Sequence, residues 1–302
     1  MQRFIVTAID SSQRERQELP EGRSPTVRRR ELGALLRALR TKKGLTVEQV
    51  AEHLLCSASK VSRMETGHRG ATLRDIRDLC DLYGVTDDSE RDRMMHLAAL
   101  GKQQGWWQSY ELANFATYVG LEADAVRVKD YQCTVIPGLL QTPDYARAAN
   151  DVIVPPPTEE RVAEHTEVRL RRQDRLTQEP LLNFWVVLDE AALHRVVGGP
   201  AVMRAQLDRL IEVATLPNVT LQVIPYSVGA YPAMDTPFNI LEFDDQVPSV
   251  VYVEGLVAWL YVERREDIST YQRVFRQLCA IALNPQESIK LTARIGSEYK
   301  RA

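Results

Sequence analysis

One short run in the stretch Leu45 to Gly67, LTVEQVAEHLLCSASKVSRMETG, gathers side chains suited to reading another molecule: Ala58, Ser59, Lys60, Ser62 and Arg63. The planar fork of an arginine can pair in two places with guanine O6 and N7, a serine offers a short adaptable hydrogen bond, and an alanine methyl suits a thymine methyl. Lysine is a point charge that serves a base edge or a phosphate. Thr46 and Arg69 flank the run, and each can reach a phosphate oxygen. From Arg28 to Arg69, ten Lys/Arg stand against four Glu, in a chain whose formal net charge is −3. Such a basic segment on an otherwise acidic chain is the footprint of a nucleic-acid-binding head, and the overall charge argues against indiscriminate coating of nucleic acid.

Those side chains need a helix to hold them, and turn chemistry bounds two. Thr46 can cap a helix from Val47 to about Leu54, with Gln49 as the capping-box partner, and Ser57 can cap a second from Ala58 to about Thr66, ended by Gly67. Val50, Leu54, Val61 and Met64 recur at helical spacing and close both helices on one core, while small Ala51 lets their backbones approach. Ahead of them, a helix from about Arg29 to Lys43 places Leu32, Leu35, Leu36 and Leu39 on one face, with Arg37, Arg40, Lys42 and Lys43 mostly on the other. Thr72 can cap a fourth helix that Gly84 closes, and Ser89 to Leu100 supplies a fifth.

With Leu45-Thr46, Ala51, Ser57, Val61-Ser62 and Glu65-x-Gly67 in these places, the segment from roughly Arg30 to Leu100 resembles the helix-turn-helix of the Xre/Cro repressor family. The resemblance implies an all-α five-helix head whose recognition helix, residues 58–66, lies in the major groove of double-stranded DNA. On that geometry Ala58, Ser59, Lys60, Ser62 and Arg63 face base edges. Phosphate contacts fall to Thr46, to the first N–H groups of the first motif helix and to Arg69, with Arg40 and Lys43 as further candidates. Val47 departs from the family, which commonly has Gln there as a phosphate contact. Glu65 would be repelled by DNA and is expected inside the head, paired with Arg37 or Arg40.

At 302 residues, with 44% hydrophobic and 26% charged residues, the chain has the composition of an ordinary globular protein and the length for two cores. The Gly101–Gly105 segment, GKQQG, marks the expected boundary between a head at 28–105 and a mixed α/β domain at 106–302. Residues 1–27 read as a flexible arm, either a solvated leader or one reaching DNA or a neighbouring subunit through Arg23 and Arg28 to Arg30. Cys56, Cys80, Cys133 and Cys279 are widely separated, which points to buried thiols in a reducing cytoplasm rather than disulfides or zinc. No export signal and no window of about twenty apolar residues is present, so a membrane is not expected.

Beyond Trp106 the periodicity is mixed. Ala125 to Ile136 begins helical and ends extended, Leu181 to Leu188 reads as a strand buried on both faces, and Phe238–Phe243, Val250–Glu254 and Leu256–Val262 succeed one another like a meander. A long charged helix runs from Thr158 to about Thr177, and a helical pair, Asp267–Leu283 and Pro285 to roughly Arg294, ends the chain. Gly120-Leu121-Glu122-x-x-Ala125, Val135-Ile136-Pro137-Gly138-Leu139-Leu140-Gln141-Thr142-Pro143-x-Tyr145-Ala146 and Asp189-Glu190-x-x-Leu193 before Val197-Gly198-Gly199 resemble the large domain of unknown function (DUF5753-like) that follows an Xre head in many bacterial regulators. Such regulators are often encoded beside a very small acidic partner protein, which the resemblance allows here.

An enzyme is poorly supported. The chain lacks G-x-S-x-G, P-loop, H-E-x-x-H and G-x-G-x-x-G patterns. His165 and His194 each stand alone, and Glu122, Asp189, Glu190, Asp235, Asp244, Asp245 and Glu254 are scattered. No catalytic, cofactor-binding or metal-binding residue is assigned. Trp106, Trp107, Tyr110, Trp185, Tyr226, Tyr231, Trp259 and Tyr261 are candidates to line an effector cavity or a partner groove, with core packing the preferred account of Trp185; the Gly229–Met234 loop carries exposed-looking apolar side chains. The expectation is a cytoplasmic, homodimeric DNA-binding transcriptional regulator whose second domain binds a small-molecule effector or a small acidic partner. An interaction module whose head docks the partner is the alternative, and an enzyme in the second domain a more remote one.

Overall fold

The computed structural model describes residues 23–110, 112, 115–152, 156–244, 247–256 and 258–299. The arm expected at 1–27 lies outside them as far as residue 22, and its last residues are helical. Ser24 accepts the Val27 N–H at 3.2 Å and Pro25 takes the first helical position, so α1 runs Pro25–Lys42 and starts a turn ahead of the Arg29 read from leucine spacing. α2 (Val47–His53) opens on a reciprocal cap: the Thr46 hydroxyl accepts the Gln49 N–H at 3.3 Å, and the Gln49 side chain accepts the Thr46 N–H at 2.9 Å. Ser57 caps α3 (Ala58–Glu65), a Thr72–Asp75 box opens α4 (Leu73–Tyr83), and Asp87 opens α5 (Asp88–Leu100). Leu36, Val50, Val61, Met64, Ile76 and Leu97 are among the residues that close these five helices on one core. In the turn between α2 and α3, Leu55 takes φ 50° and is 94% exposed, a strained conformation for a side chain that gains nothing from burial there.

The first turns of α1 belong to a different core. Val27 packs with the second domain, and α6 (Phe115–Glu122) lies alongside. Ser24 Oγ donates to Gly120 O at 2.6 Å, and the Ser24 N–H donates to the Asp124 carboxylate. Gly120 permits this approach, because a Cβ there would stand 2.7 Å from the Trp107 ring and 2.9 Å from Thr26 Cβ. Arg29 donates to Gly101 O at 3.1 Å, Arg30 pairs with Glu263 at 2.8 Å, and Arg28 is only 3% exposed. Glu31, 1% exposed, receives Arg23 at 2.8 Å and Arg93 at 2.9 Å. Of the arginine triplet that might have reached outward, Arg30 is therefore engaged in the joint between the two halves, Arg28 is buried and Arg29 is held on the end of α5.

The second domain is built on a six-stranded mixed sheet. Its strands are β1 (Arg127–Gln132), β2 (Asn183–Asp189), β3 (Val219–Ile224), β4 (Phe238–Glu242), β5 (Val250–Glu254) and β6 (Trp259–Val262), in the order β3-β2-β1-β4-β5-β6. β1, β2 and β3 pair in parallel, and β4, β5 and β6 continue from β1 as an antiparallel meander. The segment read as helix passing into strand is thus, at its centre, the strand where the parallel and antiparallel halves meet.

The connections supply α7 (Pro143–Asn150), α8 (Glu159–Gln173), α9 (Ala191–His194) and α10 (Pro200–Val213), and α11 (Arg265–Ile281) and α12 (Pro285–Glu298) follow β6. Alternation along each strand sorts the side chains: Val128, Phe184, Val186 and Leu188 face one core, while Tyr131, Val187, Ile224 and Phe238 face another beneath α11. Helices on both faces explain why β2 is apolar on both. α10 and α12 cover the parallel half, with α6 and α8 above the antiparallel half. No helix of the described residues is long and apolar enough to cross a membrane.

Close approach of α1 to α3 depends on Gly33, where a Cβ would stand 2.5 Å from Glu65 O and 2.6 Å from Met64 O. Alanine favours a helix by about 1 kcal/mol over glycine, so a net loss on Gly33→Ala reports the collision alone. The expected outcome is destabilisation by about 1–3 kcal/mol, read as a lower melting temperature by circular dichroism; an unchanged or raised midpoint contradicts the packing.

Candidate nucleic-acid interface

On α3, Ser59, Ser62 and Arg63 are exposed and Ala58 is half-buried, while Val61, Met64 and Glu65 turn inward. The Ser57 cap sets this phase by fixing where the helix begins. Arg63 Nε donates to Ser59 O at 3.4 Å, which lays the guanidinium along the helix with its remaining N–H groups outward; no carboxylate pairs with it among the described residues. Arg69 is exposed as well, and its backbone N–H bonds to Arg63 O at 3.0 Å, so the chain beyond Gly67 (φ 72°) is fixed against the end of α3.

Lys60 stands differently. Its Nζ lies 2.6 Å from Asp75 Oδ1, which ties α3 to the start of α4. Burial by itself would raise the Asp75 carboxyl, but hydrogen bonds from Lys60 and Thr72 outweigh it and hold the group below the usual carboxylate range. An ammonium has three donors, so two of those on Lys60 remain for a further acceptor. The Thr46 hydroxyl accepts its cap bond and also hydrogen-bonds the exposed Glu48 carboxylate, which its own backbone N–H and Thr46 hold below the usual range and which opposes an anion there. Val47 packs against the head core.

Arg40 is an interior group. It forms a bidentate pair with Glu65 at 2.6 and 2.8 Å and donates to Leu45 O at 2.9 Å, which decides between Arg37 and Arg40 as the partner of Glu65 and removes Arg40 from the phosphate candidates. Beyond α3 the head rests on the second domain. A Cβ on Gly67 would stand 2.6 Å from Arg30 Cγ, and the His68 ring meets Tyr261 edge-on at 6.3 Å and lies 3.8 Å from Glu263.

The scattered carboxylates do not converge. Glu122 pairs with Arg172 at 2.6 and 2.7 Å; Asp189 accepts from the Tyr231 hydroxyl and, at 2.7 Å, from the Ala191 N–H; Glu190 accepts the Tyr226 N–H at 2.7 Å. Asp235 is exposed, Asp244 pairs with Arg23, Glu254 lines a cavity over the sheet, and Asp245 lies outside the described residues. No group of three or more His, Cys, Asp or Glu that could hold a metal occurs among the described residues.

Of the aromatic candidates, Trp259 lines a cavity of about 330 Å³ between the sheet and α8. Trp106 and Trp107 border an open cleft beside α6, Tyr110 bonds Glu167 at 2.7 Å, and Trp185 packs on Phe275 and donates to Gln222 at 2.9 Å. Tyr231 anchors the Gly229–Met234 loop through Asp189 and through Tyr131 at 2.9 Å, leaving Met234 54% exposed. Asp130, Asn150 and Arg169 also line the small cavity, and sequence reasoning passed over them. The only local signal is the cluster of charged residues, Arg127, Lys129 and Asp130, in a segment of strand length.

Two family models match the chain. One, described as a helix-turn-helix domain, covers residues 31–94, and the other, described as a domain of unknown function (DUF5753), covers residues 115–294. Comparison with curated proteins finds no match, and comparison with solved structures finds none.

Because Arg40 is largely enclosed, removing the charge of its partner leaves a cation without compensation. Glu65→Gln is expected to destabilise the head by about 3 kcal/mol, measured by denaturant unfolding followed by circular dichroism, whereas a loss within error of zero would show the pair to be dispensable.

Proposed function

Since the chain belongs to the DUF5753 family and carries a helix-turn-helix domain ahead of that region, we propose that it is a sequence-specific DNA-binding transcriptional regulator of the Xre type. The observation that carries the reading is how charge is distributed on the head. Arg28, Arg30 and Arg40 are turned inward, whereas Arg63 and Arg69 remain outside with no carboxylate paired to them among the described residues, beside the hydroxyls of Ser59 and Ser62. An exposed face of donors on the second motif helix suits the electronegative edge of a major groove.

Within this reading Ala58, Ser59, Ser62 and Arg63 meet base edges, and Thr46 and Arg69 meet phosphates. Lys60 sets the angle of α3 through Asp75 and offers its remaining donors to the backbone. The head extends to the Gly101–Gly105 segment, with α1 shared, and the second domain from Trp106 senses an effector or a small acidic partner. A single α3 reads only a few base pairs, so a homodimer on paired half-sites supplies the remaining specificity. The protein works in the cytoplasm, where its four cysteines stay reduced, and its action requires no cofactor or catalytic residue.

Gel-shift titration against the DNA upstream of its own gene tests the assignment. Arg63→Ala should weaken specific binding by about 1–3 kcal/mol and relax sequence preference, while Arg69→Ala should weaken binding to all sequences and lower the salt slope by about 1. Undiminished, equally selective binding by Arg63→Ala would remove Arg63 from the interface.

A further inference from the structure

Over the antiparallel half of the sheet the helices do not close onto the strands. The cavity beneath them, about 330 Å³, is at the small end of the range that ligand sites occupy. Its aromatic walls come from α6 and the meander: Phe115 and Tyr118 stack at 5.3 Å, Tyr118 leans on Tyr252 at 4.6 Å, and Trp259 stands on the next strand. Three arginines of α8, Arg161, Arg169 and Arg172, make the cationic wall together with His165. Arg172 is already paired with Glu122. Arg169 donates to neutral acceptors, Gln141 Oε1 at 2.9 Å and Ala146 O at 3.3 Å, and among the described residues no carboxylate lies within ion-pair distance, Glu254 acting on it only from further off. Burial, and then neighbouring Arg172, pushes its pKa down to about 10.

The polar groups facing the same space are also incompletely satisfied. Asn150, at the end of α7, is 2% exposed and its Nδ2 has no hydrogen-bond partner. The Tyr252 hydroxyl makes no well-formed hydrogen bond either, although Glu254 acts on its charge. Asp130 lies beside Asn239 across the β1–β4 pair; burial raises its carboxyl to about 7 despite a 2.8 Å hydrogen bond from Gln132, so it can donate or accept near neutrality. Folds leave few buried polar groups unpaired, and finding several around one small aromatic space marks a place for a guest.

We propose that this cavity binds a small planar organic acid, with its carboxylate on Arg169, its ring against Tyr118, Tyr252 and Trp259, and a hydrogen-bonding substituent toward Asp130 and Asn150. The Arg169 guanidinium matches one carboxylate, and Asp130 and Glu254 in the same wall disfavour the second charge a phosphate would bring. The site gives the proposed sensor a location and rests on that reading only for its consequence at DNA. Tyr252 pairs across the meander with Tyr261, their rings 5.3 Å apart, and Tyr261 meets His68 just beyond α3. An occupant that moves Tyr252 therefore acts at the joint on which the recognition helix rests.

Isothermal titration of the full chain with benzoate, anthranilate and 4-hydroxybenzoate, and with benzamide as the uncharged control, decides the matter. At least one acid should bind saturably at one per chain, about tenfold or more tighter than benzamide. Arg169→Met should weaken it by about tenfold or more, and so should Asn150→Leu, which fills the space; thermal melts verify that each variant is folded. If Arg169→Met does not fold, Asn150→Leu decides alone. Absence of saturable binding by all three acids, or equal binding by the folded variants, overturns the proposal. Calorimetry contains no DNA, so that failure is distinct from failure of the gel-shift, which bears on the head.

Discussion

The structure depends on α1 having two partners along one unbroken helix. Its carboxyl-terminal part, through Leu32 and Leu36, closes the five-helix head, while its first turns, through Ser24, Thr26 and Val27, sit on α6 and in the core of the second domain. A helix is stiff over this length, so fixing its start also fixes the direction of everything packed on its end. The joint is secured by charge-assisted contacts, with Arg30 on Glu263 and with Arg23 bridging Glu31 and Asp244, and by the absence of a side chain at Gly120. Buried pairs of this kind add little net stability over apolar packing, but they are costly to break one-sidedly, which makes them good determinants of a single arrangement.

That joint also changes the meaning of the basic segment. A count of charges from Arg28 to Arg69 treats every cation as available to an anion outside. Arg28 and Arg30 are instead taken up at the joint, Arg29 is held on Gly101 O, Arg40 neutralises Glu65, and Lys60 reaches Asp75. The outward cations of that segment are fewer than the sequence count suggests: Arg63 and Arg69 at α3, and Arg37, Lys42 and Lys43 toward the end of α1. This favours selectivity over bulk affinity, because unspecific phosphate attraction scales with the number of free cations.

Local chemistry was legible in the sequence, and long-range pairing was not. Thr46, Ser57 and Thr72 each cap the helix expected of them, because a cap is decided within four residues. The phase of α3 followed from Ser57 together with Val61 and Met64, and the meander from its three apolar runs. β1 was harder to read: Arg127, Lys129 and Asp130 interrupt the apolar pattern, and Asp130 faces inward because the space above it is a cavity and not a packed core. The start of α1 was missed because its cap, Ser24, lies in a polar stretch whose burial is decided by Gly120 and Asp124, some hundred residues on. Glu263 as the partner of Arg30 had no signal near either residue.

Coupling between the proposed sensing cavity and the proposed DNA face has a physical route of two short arms. One runs from Phe115 and Tyr118 in the cavity wall along α6 to Gly120, which contacts Ser24 and Thr26 at the start of α1. The other crosses from Tyr252 to Tyr261 and reaches His68 and Arg30 through Glu263. Both arms end on elements that hold α3, one at the helix beneath it and one at the residues just after it. Spatial continuity alone does not make an allosteric path; an element with two arrangements is also required. The joint is suited to that role because its polar contacts are directional and its glycine contact leaves no slack. A shift in α6 must therefore either carry α1 with it or break the Ser24–Gly120 hydrogen bond. Since Ser24 both caps α1 and bonds α6, the first turn of α1 is the place where displacement at the cavity would meet the seating of the head.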